Sequence, residues 1–461
     1  MTDPWLKDAC SLVDAMRAGE LTPLDALEAS LKAIENSQLN AFSHLDAEAA
    51  RERAADADTS LPFGGVPVGI KELDFVEGWP QDDASLVFKD RKATYTSTWG
   101  TRLFAAGANP VGMCTASEFG GLNVSVSKLN GVTGNAWNPS RTAGGSSGGS
   151  SAAVAGGLVP IASGGDGGGS IRIPAAFNGL LGMKGTAGRI PRGPRTEIAP
   201  LTVVLGCQAR SVRDAARWYD VCAGYDMRDP YSLPKIEGWE RDLGTRELKG
   251  LKAVISPNLG SAVVRPEIAE IVMEAADALA KDVGLILVDV PVKMPELGFE
   301  WAVSNLVQLH KALQGKWPEC KDDLTEEMAF GMTIAEQAFN LNVAANNEAQ
   351  RTEANETMAA LFDKVDLVIS ATNPDVAYPA EVTLNLRVGE QKVGPENNGA
   401  LTIPANIVGN PAVSIPVGTF EGLPVGMQIM ARHHQDPILF DLALAVERER
   451  PWPLTASGAP V

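Results

Sequence analysis

The chain has 461 residues, of which 45% are apolar and 21% are charged, and its formal net charge is −18. This composition is typical of a globular protein with a large core, and the acidity disfavours nucleic acid and anionic membranes as partners because both repel negative charge. The five cysteines are scattered without a CxxC spacing, which favours neither a disulfide framework nor a zinc site. No signal-peptide pattern or membrane-spanning run is evident, so we expect a cytoplasmic protein.

The first sixty residues favour helices. Thr22 predicts an N-cap and Pro23 the first helical position, because apolar residues then recur on one helical face. The run "GGVPVGIKELDFVEG" that follows is apolar and β-branched and predicts a strand that ends near Lys71.

From there to about residue 210, short apolar runs alternate with glycine-rich turns and short helices, which predicts an α/β fold with mixed strand directions. Residues 251–290 add a strand–helix–strand unit, and residues 299–365 are mainly helical. Strand signals return in "DLVISAT" and "PVGMQIM", and the segment "QDPILFDLALAVERER" predicts a final amphipathic helix.

The stretch "RTAGGSSGGSSAAVAGG" at 141–157 is open to three interpretations. A flexible linker is disfavoured because strand and helix signals resume on both sides, and a phosphate-binding loop would need a closing lysine. Ser146 matches G-x-S-x-G, but no apolar strand precedes it. The histidine of a Ser-His-Asp site would have to be His310, His433 or His434, since His44 precedes the serine, and their settings favour packing or solvation.

A second glycine run, Gly167 to Gly169, stands directly before Ser170. Consecutive glycines allow backbone N–H groups to converge on one point, and such a nest beside a hydroxyl suits acyl transfer, where negative charge develops on a carbonyl oxygen. Asp166 and Arg172 flank this run and are placed to pair beneath it.

Together, "GGSSGGSSAAVAGG" and "GGDGGGSIRIPAAFNGLLGMKG" resemble the signature of the amidase signature family. The resemblance extends to the strand that ends in Lys71, to "NAWNPSRTAGG" and to "GNPAVSIPVG", and it is absent only over about 225–365, a region that varies within the family. It implies one amidase domain over 1–461 with a large central mixed β-sheet sandwiched by helices. Its parts would be N-terminal helices (1–65), a catalytic core (66–210), a substrate-shaping helical region (225–365) and a C-terminal return to the core (366–461).

Carried over by position, the resemblance implies a Ser-Ser-Lys triad. Ser170 is the nucleophile, Ser146 the bridging residue after a cis peptide bond at Gly145, and Lys71 the base. A lysine acts as a base only when neutral, and burial lowers its pKa in that direction. The remaining implied residues are the oxyanion-hole N–H groups of Gly167, Gly168, Gly169 and Ser170 and the supporting residues Gly145, Asp166 and Arg172.

The sequence departs from the family pattern at three places. Glu72 stands where the family usually has Asp, Gly165 where it usually has Thr, and "MCTASEFG" replaces a lysine-containing stretch. We expect Glu72 and Cys114 to affect the basicity of the lysine or the shape of the pocket, and Met113 and Cys114 to pack in the core.

These observations predict a hydrolase of amide C–N bonds that uses an acyl-serine intermediate and neither metal nor cofactor. Aryl or alkyl amides are the expected substrates, with carbamates (urethanes) and esters open. The alternative is the glutaminase subunit of a tRNA-dependent amidotransferase; an inactive scaffold is disfavoured by the intact triad. We expect a monomer or homodimer. The sequence leaves open whether residues 78–88 and 301–313 line the substrate pocket or belong to the ordinary packing of the interior.

Overall fold

The computed structural model describes residues 4–197 and 202–457. Within these ranges it has 15 strands. They are β1 (Phe42–Leu45), β2 (Pro67–Lys71), β3 (Asn109–Cys114), β4 (Val126–Ser127), β5 (Gly131–Val132), β6 (Ile161–Asp166), β7 (Leu181–Lys184), β8 (Val204–Ala209), β9 (Lys252–Ile255), β10 (Ile286–Leu287), β11 (Leu367–Ala371), β12 (Arg387–Val388), β13 (Gln391–Lys392), β14 (Ala412–Phe420) and β15 (Leu423–Ala431).

The same described ranges contain 13 α-helices. They are α1 (Ala9–Arg17), α2 (Pro23–Asn36), α3 (Ala47–Ala55), α4 (Thr98–Ala105), α5 (Gly148–Ala155), α6 (Arg172–Asn178), α7 (Val212–Cys222), α8 (Pro266–Val283), α9 (Gly298–Ala312), α10 (Glu326–Ala338), α11 (Leu341–Phe362), α12 (Ile403–Val408) and α13 (Asp436–Glu449). None of these described helices combines the length and the apolar content needed to cross a lipid bilayer.

Eleven of the described strands form one sheet in the order β1-β3-β2-β6-β8-β7-β14-β15-β11-β9-β10. β3, β2 and β6 run parallel, the pairs from β6 through β8, β7, β14 and β15 to β11 are antiparallel, and β11, β9 and β10 are again parallel. Helices α5 and α6 pack against β6 and β15 respectively, and α8 and α13 also contact β15. The predicted α/β fold with a mixed sheet is therefore confirmed.

The N-terminal region is helical as predicted, with one exception. Thr22 caps α2, because its hydroxyl accepts from the N–H of Asp25 while the Asp25 carboxylate accepts from the N–H of Thr22. The exception is β1, which pairs antiparallel with β3 at the sheet edge. The prediction missed it because four residues that alternate between half-buried and exposed positions contain too little pattern to stand out.

The predicted strand–helix–strand unit corresponds to β9, α8 and β10, in which the two strands pair parallel. The helical prediction for residues 299–365 is also confirmed, by α9, α10 and α11, which are together called the helical cap below. The predicted division of the chain into four parts stays a prediction.

Candidate active site

The side chains of Lys71 and Ser146 meet in the interior, where Nζ of the lysine lies 2.7 Å from Oγ of the serine. Lys71 is the last residue of β2, whose five residues are all buried, as the apolar run predicted. Ser146 lies just before α5 and follows a cis peptide bond with Gly145. Two residues 75 positions apart in sequence are thereby joined.

Burial lowers the pKa of Lys71 to about 8, against the opposing charges of Asp74 and Asp166. Its Nζ also donates to the carbonyl oxygen of Gly165 at 3.2 Å. The amine therefore has a serine hydroxyl and a carbonyl as neighbours, and its pKa is in the range where a lysine can act as a base near neutrality.

Asp74 is a buried neighbour of the lysine that the sequence analysis missed. The backbone N–H of Lys71 donates to Oγ of Ser163, and that hydroxyl donates to the Asp74 carboxylate, each at 2.7 Å. Burial raises the pKa of Asp74 to about 6. An aspartate three positions after the lysine, between the apolar residues Leu73 and Phe75, was the available signal.

Close backbone contacts explain the glycines around Ser146. A Cβ on Gly145 would lie 2.5 Å from the backbone oxygen of Val124, and one on Gly149 would lie 2.4 Å from that of Thr115. The hydroxyl of Ser125 holds the same loop, because it donates to the carbonyl of Gly144 and accepts from the N–H of Gly148. The loop is therefore packed against its neighbours at backbone distance and is not a linker.

The loop that contains Ser170 is anchored by a buried ion pair. Arg172 donates to the Asp166 carboxylate at 2.9 and 3.0 Å, and both side chains are fully buried, as the flanking positions predicted. Burial alone would raise the pKa of Asp166, but the Arg172 guanidinium and further hydrogen bonds hold it well below its usual range. Asn406 donates to the same carboxylate and accepts from Arg172, which closes the network.

Within this loop, the N–H of Gly169 donates to Oδ1 of Asp166 at 2.7 Å. On the other side, the carbonyl of Gly167 accepts from Nε1 of Trp301 at 2.6 Å, and the carbonyl of Gly168 accepts from the hydroxyl of Thr402 at 2.6 Å. Ser170 itself is buried and lies between this glycine run and α6. Trp301 of α9 and Thr402, the residue before α12, therefore hold this loop by hydrogen bonds. The sequence of the loop itself predicts neither partner.

The residues that depart from the family pattern have separate environments. The Glu72 carboxylate accepts from Asn130 at 2.6 Å and from the N–H of Ala116 at 3.2 Å, and burial, with the nearby charge of Asp82, raises its pKa to about 8. Cys114 is packed in the core as expected, and burial raises the pKa of its thiol. Gly165 leaves room beside the base, since a Cβ there would lie 3.9 Å from Nζ of Lys71.

The histidines have other surroundings. His44 packs edge-on against Trp79 with ring centroids 5.3 Å apart, and Nε2 of His433 lies 3.0 Å from the carbonyl of Val408. His310 lines a cleft in the helical cap. Within the described residues, the hydrogen-bond partner of the Ser146 hydroxyl is Lys71 and not one of these histidines.

A cleft of about 860 Å³ opens between the helical cap and the segments at 121–123, 383–384 and 395–398, and it reaches Gly168. Most of its wall is apolar, and it is called the apolar cleft below. Its large apolar side chains include Phe299, Trp301, Leu306, Phe330, Ile334 and Phe339. The two charged side chains on its described wall, Glu336 and Glu396, are both acidic.

Of the two segments considered for the substrate pocket, residues 301–313 contribute Trp301, Leu306 and His310 to the apolar cleft, whereas residues 78–88 lie elsewhere. That this cleft is the substrate pocket stays a prediction. The described wall of the cleft includes no residue of 78–88. Phe88 instead packs edge-on against Phe119 with centroids 6.0 Å apart, and Asp83 pairs with Arg91. Residues 78–88 therefore pack against the loop that precedes Gly121 and do not face the cleft.

The fold and the lysine–serine pair point to the amidases, and the family profile described as Amidase matches residues 25–440. The chain belongs to the amidase (amidase signature) family, and it is a hydrolase of that family that acts on C–N bonds.

Its curated relatives include an acylamidase of Rhodococcus erythropolis, 30% identical over 97% of this chain and 96% of the relative. They also include a glutamyl-tRNA(Gln) amidotransferase subunit of Lacticaseibacillus paracasei, 30% identical over 96% of each. Among solved structures, a bacterial aryl acylamidase superimposes with a TM-score of 0.90 at 26% identity and covers 97% of both chains.

Proposed function

We propose that the protein hydrolyses the C–N bond of uncharged aryl or alkyl amides through an acyl-serine intermediate formed on Ser170. Carbamates enter the same proposal because their carbonyl carbon is attacked in the same way and releases the same kind of leaving group. The observation that supports it most is the 2.7 Å contact between the buried Nζ of Lys71 and Oγ of Ser146.

In the proposed mechanism, neutral Lys71 is the base. A neutral amine that donates one hydrogen to the carbonyl of Gly165 keeps its lone pair for the hydroxyl of Ser146. Ser146 passes its proton to the lysine and takes one from Ser170, whose oxygen attacks the substrate carbonyl. The relay then returns the proton through Ser146 to the leaving nitrogen, and water hydrolyses the acyl-enzyme by the reverse path.

The developing negative charge on the substrate oxygen needs fixed donors. We propose that the N–H groups of the Gly167–Ser170 loop supply them, as the family resemblance implies. Because the N–H of Gly169 already donates to Asp166, its contribution is to fasten the loop, and Gly167, Gly168 and Ser170 are the proposed donors. The buried Asp166–Arg172 pair anchors this loop, so in the proposed mechanism the donors are in place before the substrate binds.

The apolar cleft supports the proposed substrate class. A ligand group that fills the cleft exchanges contact with water for contact with aromatic and aliphatic side chains. This exchange favours alkyl and aryl groups, because burial of apolar surface is favourable. The acidic side chains of Glu336 and Glu396 disfavour an anionic substrate, since like charges repel. Similarity to acylamidases in sequence and structure agrees with this choice.

A glutaminase subunit is the second candidate, favoured by the 30% identity to a glutamyl-tRNA(Gln) amidotransferase. Glutamine has an α-carboxylate, and the described wall of the cleft offers it no lysine or arginine side chain. Release of ammonia from glutamine by the purified chain, at a rate above that for hexanamide, would favour this candidate over the acylamidase.

The proposal is tested with p-nitroanilides, primary amides and aryl carbamates, and with a fluorophosphonate that labels activated serines. Wild type should hydrolyse at least the anilides and be labelled once, at Ser170. Ser170→Ala should lose both turnover and labelling, whereas labelling of that variant at another serine would contradict the assignment. The proposed enzyme acts as a monomer or homodimer, in the cytoplasm, without metal or cofactor.

A further inference from the structure

Trp301 connects the apolar cleft to the loop of Ser170. It belongs to α9 in the helical cap, outside the signature motifs, and its side chain forms part of the cleft wall. Its Nε1 donates to the carbonyl of Gly167 at 2.6 Å. The indole also lies directly against Gly168, where an added Cβ would be 2.7 Å from Nε1.

A hydrogen bond to the Gly167 carbonyl also orients a donor. The C=O of Gly167 and the N–H of Gly168 belong to one planar peptide unit, and this unit is trans in the structure. The two bonds therefore point in opposite directions, and fixing the carbonyl toward the indole fixes the N–H away from it. Trp301 thus determines the direction of the Gly168 N–H without touching it.

The next peptide unit is held in a similar way, but its N–H is already used. Thr402 donates to the carbonyl of Gly168, and the N–H of the same unit, from Gly169, donates to Asp166. The Gly167–Gly168 peptide unit is the one held by Trp301, and its N–H, that of Gly168, is a proposed oxyanion donor. This difference assigns Trp301 a role that Thr402 does not share.

We propose that Trp301 is a positioning residue that aims the Gly168 N–H at the reacting carbonyl oxygen and senses the substrate through the apolar cleft. The inference rests on the proposed function. An alkyl or aryl group in the cleft packs against the indole and restricts its motion, which steadies the donor. Longer apolar groups should therefore raise kcat, in addition to lowering KM through burial.

The experiment compares wild type, Trp301→Phe and Trp452→Phe on acetyl, butyryl and hexanoyl p-nitroanilides. The phenyl ring keeps an apolar wall and removes the N–H donor. Trp452 is the matched control, because its Nε1 also donates to a backbone carbonyl, that of Arg210, at 2.9 Å. A benzothienyl isostere of tryptophan at position 301, which replaces N–H by sulfur at nearly constant shape, provides a second variant should the phenylalanine variant not fold.

We expect kcat to fall about tenfold or more in Trp301→Phe, because the Gly168 N–H remains but is no longer held toward the reacting oxygen, and KM to change by less than about threefold. The rise of kcat with chain length should disappear in this variant and persist in Trp452→Phe. An unchanged kcat, or a higher KM alone, would overturn the inference while leaving the proposed function intact. Failure of the proposed function is visible separately, as wild type that neither turns over nor takes the fluorophosphonate label.

Discussion

The loops around Lys71 and the helical cap differ in how closely they are packed and in how much of their apolar surface is exposed. Around the lysine, glycines allow backbones to touch, and the charged groups are paired or hydrogen-bonded out of contact with water. In the cap, large apolar side chains remain exposed, among them Phe299 at 61% and Phe330 at 68%. The proposed chemistry therefore lies where the packing is closest, and the proposed selectivity where side chains face open space.

The greatest loss of activity is expected at the base. Lys71→Met, which keeps the length and apolar stem of the side chain, should lower kcat/KM for a p-nitroanilide by about 10³-fold or more, because within the described residues Lys71 is the one hydrogen-bond partner of the Ser146 hydroxyl. Initial rates at several pH values measure it. Retention of more than a tenth of the activity would show that Lys71 is not the base.

The second prediction concerns the close packing of the glycine loop. Gly149→Ala places a Cβ 2.4 Å from the backbone oxygen of Thr115 and should lower the free energy of unfolding by about 2 kcal/mol or more, even though alanine favours helices by about 1 kcal/mol.

Gly165→Ala, in strand β6, is the matched control for Gly149→Ala. Its Cβ would meet Leu205 at 3.7 Å and Lys71 at 3.9 Å, which are ordinary contact distances. Urea denaturation should place it within about 1 kcal/mol of wild type, since surroundings that need not shift add little strain. Equal losses in the two variants would contradict the argument from backbone contact.

A smaller effect is expected on the pH profile. The pKa of Lys71 is about 8, so the neutral form, and with it kcat/KM, should rise as the pH passes through about 8. The negative charge of Asp74 raises the pKa of the lysine. In Asp74→Asn this charge is lost, the pKa falls, and the rising limb should move about one pH unit toward acid. A profile that does not move, or moves toward alkali, would exclude Asp74 as an electrostatic partner of the base.

The mildest change is expected in the cap. Phe330→Ala removes an exposed side chain, so the free energy of unfolding should change by less than about 0.5 kcal/mol. KM for a hexanoyl anilide should rise by roughly threefold to tenfold and KM for the acetyl anilide should stay unchanged, because only the longer group reaches the cleft wall. A variant that loses stability instead would place Phe330 in the packed part of the molecule.

Some features of the fold and of the site could be predicted because they are local in sequence. The position of Lys71 at the end of an apolar strand, the Thr22 cap, and the Asp166–Arg172 pair each depend on residues close together in the chain. The two serines were distinguished by family resemblance, since both stand in glycine-rich segments. The place of residues 78–88 could not be predicted, because their mixed composition does not indicate whether they face a cleft or support a loop.

Local patterns in the sequence were enough to predict the α/β class, the order of most elements and the family, since hydrophobic periodicity and contiguous motifs encode them. Which distant groups meet depends on the tertiary structure. The contact of Lys71 with Ser146, the Asp74 carboxylate behind Ser163, and the bond from Trp301 to the Gly167 carbonyl span 75, 89 and 134 residues respectively. Burial and hydrogen-bond direction are set by how the eleven-stranded sheet brings its described strands together, and no local pattern contains that information.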